Sequence, residues 1–140
     1  MKTQVNSPSF FGTPRAVISE DGYLTFNHSA SQLLNLDFQR HMRVSVQEGN
    51  DDGSIIYLIP DKYTPKATFK VGRSKDGYYI NLKRYFQSFN LDYHDTIITY
   101  SFRTIMYEGN RIWMLRKNDH TPRRDGIDIS HYTSLYSYQS

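Results

Sequence analysis

The feature that most restricts how this chain can fold is that part of it occurs twice. A shift of 55 residues lays Ser19-Glu20-Asp21-Gly22-Tyr23 over Ser74-Lys75-Asp76-Gly77-Tyr78, and Asn35-Leu36-Asp37-Phe38 over Asn90-Leu91-Asp92-Tyr93. Eight of the twenty positions 19–38 are identical in the shifted copy, where unrelated sequence would give about one. Ile56-Tyr57-Leu58 falls beside Ile112-Trp113-Met114 once a single residue is inserted, so two repeats are predicted, 16–60 and 71–117, joined by a linker over 61–70. A unit of this size buries too little apolar surface to stand alone, whereas two can share a core.

Each copy carries the same local signals. An Asp-Gly turn leads into Tyr23-Leu24-Thr25-Phe26 or Tyr78-Tyr79-Ile80-Asn81, which reads as a hairpin turn entering a strand. Asn27 or Ser29 then caps a short helix with apolar positions Ala30, Leu33 and Leu34, and Tyr85, Ser88 and Phe89 take the equivalent places in the second copy. The helices should stop at Asn35 and Asn90, because Asn tolerates the left-handed conformation that ends helices. A second hairpin closes each unit: Met42 to Val46 with Ser54 to Ile59, and Thr96 to Phe102 with Arg111 to Leu115. Asn50-Asp51-Asp52-Gly53 lacks the alternating ligands and distal Glu of a calcium loop and reads as a turn.

At 140 residues the chain is sized for one domain, expected to span 1–117 and to be followed by a polar, tyrosine-rich tail over 118–140. The fold class expected is mainly β with two short helices. Twelve Tyr, eight Phe and one Trp supply wide packing surfaces in place of part of the aliphatic complement. The absence of Cys excludes disulfides, thiolate metal sites and a cysteine nucleophile. Neither a signal peptide nor a membrane-spanning run is visible, so a soluble, cytoplasmic protein with no membrane partner is expected.

Taken together, Ile18 to Phe26, the helix running to Leu34-Asn35-Leu36, Met42-Arg43-Val44-Ser45-Val46 and Ile55-Ile56-Tyr57-Leu58 resemble the AbrB/MazE-type swapped-hairpin (SpoVT-AbrB) domain, and both copies look like it. The resemblance implies an AbrB-like β-barrel in which two units exchange hairpins, here formed within one chain as an intrachain pseudo-dimer, a monomer with internal pseudo-two-fold symmetry. It also implies a DNA-binding transcription regulator or antitoxin-type protein. The paired helix arginines that some members of that family use on DNA align with Ser31-Gln32 and Phe86-Gln87.

The charge surplus lies in the second copy, where it either attracts nucleic acid or another polyanion or forms a solvated, lysine-rich rim that keeps the domain soluble. Residues 1–60 hold four Lys/Arg against six Asp/Glu, residues 61–117 eleven against five, and residues 118–140 two against three. Lys66, Lys70, Arg73, Lys75, Lys83 and Arg84 concentrate six cations around the predicted strand and helix start, where side chains and helix N-terminal amides together would meet phosphate. Tyr78, Tyr79 and Tyr85 either stack on bases beside this patch or fill the barrel, and their alignment with Tyr23, Leu24 and Ala30 favours the interior for at least two. Trp113 is expected in the core.

The histidines His28, His41, His94, His120 and His131 show no metal-ligand spacing, and no phosphate-cradling glycine loop or nucleophile elbow is present. The expectation is therefore a non-enzymatic protein without cofactor or metal. The alternative to DNA binding is a protein-interaction or structural module that has lost the DNA surface and uses its tyrosines and tail as contacts.

Overall fold

The computed structural model describes residues 12–46, 52–61, 68–118 and 121–123. Within them the chain is mainly β with two short helices, and its main sheet comes close to closing into a barrel. The first half supplies β1 (Arg15–Ile18), β2 (Tyr23–Phe26), α1 (His28–Leu33), β3 (His41–Val46) and β4 (Ile55–Pro60). The second supplies β5 (Phe69–Lys70), β6 (Gly72–Ser74), β7 (Gly77–Asn81), α2 (Lys83–Ser88), β8 (Thr96–Ile97), β9 (Thr99–Tyr107) and β10 (Asn110–Lys117), after which comes β11 (Thr121–Pro122). Two strands lie where none was expected: β5 within 61–70, and β11 within the tail, paired with β8.

Nine strands run in the order β5-β3-β4-β10-β9-β1-β2-β7-β6. The terminal strands β5 and β6 are separated in the chain by Val71 alone, which draws the two edges of the sheet together and leaves little edge open. Four antiparallel pairs lie within the halves: β1 with β2, β3 with β4, β6 with β7 and β9 with β10. Four more cross between them: β1 with β9, β3 with β5, β2 with β7 and β4 with β10. β1 of the first hairpin thus pairs with β9 of the other half's second hairpin, while β2 with β7 joins the two first hairpins and β4 with β10 joins the two second hairpins. One apolar cluster, with Leu24, Phe26 and Leu58 from the first half and Ile80, Phe86 and Leu115 from the second, fills the interior.

Both helices end as their Asn residues predict. Asn35 and Asn90 have φ of 55° and 57°. Leu36 N–H donates to the Ser31 carbonyl at 3.0 Å and Leu91 N–H to the Phe86 carbonyl at 3.2 Å, each beside a bond from the Asn N–H to a Gln carbonyl. This is the Schellman pattern, which satisfies the last carbonyls and turns a leucine back toward the core. The N-termini differ. The Asn27 side chain accepts the Ala30 N–H at 2.8 Å, whereas Leu82 offers no side-chain cap to α2. The buried face of α2 also differs from the one expected: it is Leu82, Phe86 and Phe89, with Tyr85 half-buried and Ser88 exposed.

Side-chain alternation shows where the halves depart from a uniform 55-residue spacing. Identity lays Tyr78 under Tyr23, yet Tyr78 faces the core and Tyr23 is half-buried on the outer face. Leu24 is matched in facing inward by Tyr78, and Thr25 in facing outward by Tyr79. The turn is the cause: five residues separate the partners Ile18 and Leu24, and four separate the partners Arg73 and Tyr78. A one-residue difference reverses the face of every side chain that follows. Ile112 also departs from its aligned partner: it lies outside the core cluster that holds Ile56, while its neighbour Trp113 lies within it.

Candidate nucleic-acid interface

Lys70, Arg73, Lys75, Lys83 and Arg84 are all exposed, and Lys66 lies outside the described residues. Lys70 ends β5 opposite His41 of β3. Arg73 sits on β6 opposite Tyr78, Lys75 occupies the two-residue turn that follows, and Lys83 and Arg84 open α2. The stem of Lys83 lies over the β1–β2 turn, since a methyl group on Gly22 would come within 3.0 Å of its Cβ and Cγ. The two side-chain ion pairs among the described residues, Arg43 with Asp61 at 2.5 Å and Arg123 with Glu20 at 3.9 Å, involve none of these five cations. Their charge therefore faces solvent without internal neutralisation, the arrangement that attracts a polyanion.

Helix amides contribute less than the sequence suggests. With six residues α2 offers little dipole, and the Asn81 side chain already accepts the Lys83 N–H at 3.2 Å. Side chains must carry the contact.

The structure adds Arg40, which the sequence reading missed because it lies in the half that is acidic overall. Its guanidinium carbon lies 5.2 Å from the centre of the Tyr78 ring, and that of Arg73 lies at the same distance. Tyr78 is 7% exposed beneath them. Its hydroxyl donates to the Asp37 carboxylate, and that bond, reinforced by burial, raises the phenol above its ordinary value so that it stays neutral. The backbone of Arg40 is pinned by Val71 N–H, which donates to its carbonyl at 2.8 Å.

The three tyrosines weighed for base stacking take separate places. Tyr78 is in the core cluster. Tyr79 stacks on Tyr23 across β2 and β7, with ring centres 5.0 Å apart and planes inclined by 13°, and it covers Gly72, where a methyl group would come within 2.5 Å of the ring. Tyr85 packs between Phe69 and Phe89. Among the described residues, the Tyr23–Tyr79 pair presents stacked rings on the outer face of this part of the sheet.

A second exposed region lies at the tip of the β9–β10 hairpin. Glu108 and Gly109, at φ 50° and 80°, form a two-residue turn of the type that matches strand twist. Beside it Met106 and Tyr107 are 65% and 60% exposed, and Phe38, after α1, is 81% exposed.

Among the described residues no group of three or more His, Asp or Glu is placed to hold a metal ion, and no helix is long and apolar enough to cross a membrane. Comparison of the chain with protein-family models, with curated proteins and with solved structures finds no match.

Proposed function

We propose that this chain is a nucleic-acid-binding protein, a DNA-binding regulator or antitoxin-type protein of the AbrB-like class, in which tandem swapped-hairpin units form one barrel and the second half carries the contact. The strand pairings that cross between halves support the exchanged-hairpin reading. The observation that carries the functional reading is the set of five exposed cations on β5, β6, the β6–β7 turn and the start of α2, none of which is neutralised by an ion pair among the described residues. Polyanion binding through four to six such contacts gives a log-log salt slope of about −4 to −5.

Anisotropy titrations with duplex and single-stranded DNA at two salt concentrations test this. Salt-sensitive binding that weakens on reversing Lys83 and Arg84 to Glu is expected, and binding that ignores salt, or none, removes the reading.

A protein-interaction module is the second reading, favoured by the exposure of Phe38, Met106 and Tyr107. Isolated apolar side chains are common on protein surfaces, which is why these three residues rank below the unneutralised cations.

A further inference from the structure

We infer that Arg40 and Arg73, held against Tyr78, form a phosphate-binding site that joins the two halves and grips the backbone of a nucleic acid. This rests on the nucleic-acid reading above and identifies which side chains make its best-ordered contact.

A guanidinium drawn to an aromatic ring by the ring's quadrupole spends no N–H group on a hydrogen bond there, which leaves those groups for an anion. Neither Arg40 nor Arg73 has a side-chain hydrogen bond or ion pair among the described residues. The carboxylate of the cluster, Asp37, is engaged by the Tyr78 hydroxyl instead. Each guanidinium carbon is 5.2 Å from the same ring centre, so the two lie within about twice that distance of each other and act on one locality. Both backbones are fixed by sheet pairing, Arg73 through its register with Tyr78 and Arg40 through Val71.

The opposite corner of the barrel makes the choice of residues informative. There the positions that correspond to Arg73 and Tyr78 in strand pairing are Ile18 and Leu24, both fully buried. An arginine is present in that corner too, but Arg123 directs its guanidinium at the carbonyls of Tyr93, His94, Thr96 and Ile18. An arginine committed to carbonyls seals a core; two arginines beside a single carboxylate keep a net positive charge for an external anion.

The test is a titration of the full chain with a labelled DNA oligonucleotide between 50 and 200 mM salt, comparing wild type with R40Q, R73Q and, as a control, R43Q, whose side chain is paired with Asp61. R40Q and R73Q should each weaken binding about eightfold at 0.1 M salt and flatten the log-log slope by about 0.9, the share of one phosphate contact. R43Q should do neither. Wild-type slopes retained in both R40Q and R73Q would overturn the site while leaving nucleic-acid binding standing. Absence of salt-sensitive binding by wild type would remove the reading and the site together. Should R40Q fail to fold, R40K decides: weaker binding at an unchanged slope supports the planar contact, and wild-type affinity contradicts it.

Discussion

Two corners of the barrel occupy matching places in the strand pairing and are built from opposite chemistry. In one, Ile18 and Leu24 face each other across β1 and β2 in the apolar interior, and the buried guanidinium of Arg123, 6% exposed, bonds the carbonyls of Ile18, Tyr93, His94 and Thr96. In the other, Arg73 and Tyr78 face each other across β6 and β7, and the arginine is exposed. Asp37 takes the tyrosine hydroxyl, while its sequence counterpart Asp92 accepts the N–H of Asp95 in its own turn. A repeated backbone plan therefore leaves individual positions free to serve packing in one half and solvent contact in the other, provided that each polar group finds a partner or water.

Exchanging residues between the corners is the strongest way to break this comparison. Ile18→Arg places an unpaired charge in the core and should cost about 3–5 kcal/mol, enough to unfold a marginal domain. Arg73→Ile at the matching exposed position should leave the urea midpoint near wild type. Equal losses in the two variants would show that the corners are not distinct.

Arg123→Ala should come next, at about 2 kcal/mol, because four carbonyls lose a charged donor. Its Nη1 has no hydrogen-bond partner among the described residues, which tempers the loss. The two helix ends should respond alike and more weakly. Asn35→Ala and Asn90→Ala force a side chain with no local hydrogen bond into the left-handed region, at about 1 kcal/mol each by chemical denaturation, while Asn→Gly at either site should be nearly silent.

Among the described residues the tyrosines in the core, Tyr78 and Tyr100, both come from the second half. Tyr100 donates to the Gly53 carbonyl at 2.7 Å, and burial, with a smaller contribution from the Asp52 charge, raises its phenol well above the ordinary value. With the folded value raised, the contribution to stability is complete below pH of about 10 and is lost as pH climbs past it, because the unfolded chain then ionises first. Tyr100→Phe should flatten the alkaline fall in the denaturation midpoint, and an unchanged profile would contradict the assignment.

Much of the architecture was legible in the sequence because its signals are local. The Asn35 and Asn90 helix ends, the strand-helix-strand order and the burial of Trp113 follow from turn chemistry and periodicity. Strand phase was not legible. The Asp-Gly-Tyr identity hides a turn shorter by one residue, so Tyr78 was equated with Tyr23 when its inward-facing counterpart is Leu24. The cations Lys70, Arg73, Lys75, Lys83 and Arg84 were visible as a cluster, since proximity in the chain suffices for that. Arg40 was not, because it reaches Tyr78 from the other half through the β3–β5 pairing, a contact that no local pattern encodes.

All of this depends on two halves that complete each other across the β1–β9, β3–β5, β2–β7 and β4–β10 pairs. Cutting the chain within 62–67 and recording circular dichroism of each piece, alone and mixed, examines that dependence directly. Neither piece should give a cooperative melt by itself, and mixing should restore a sheet spectrum with a single transition; a piece that folds and melts cooperatively on its own would contradict the shared core.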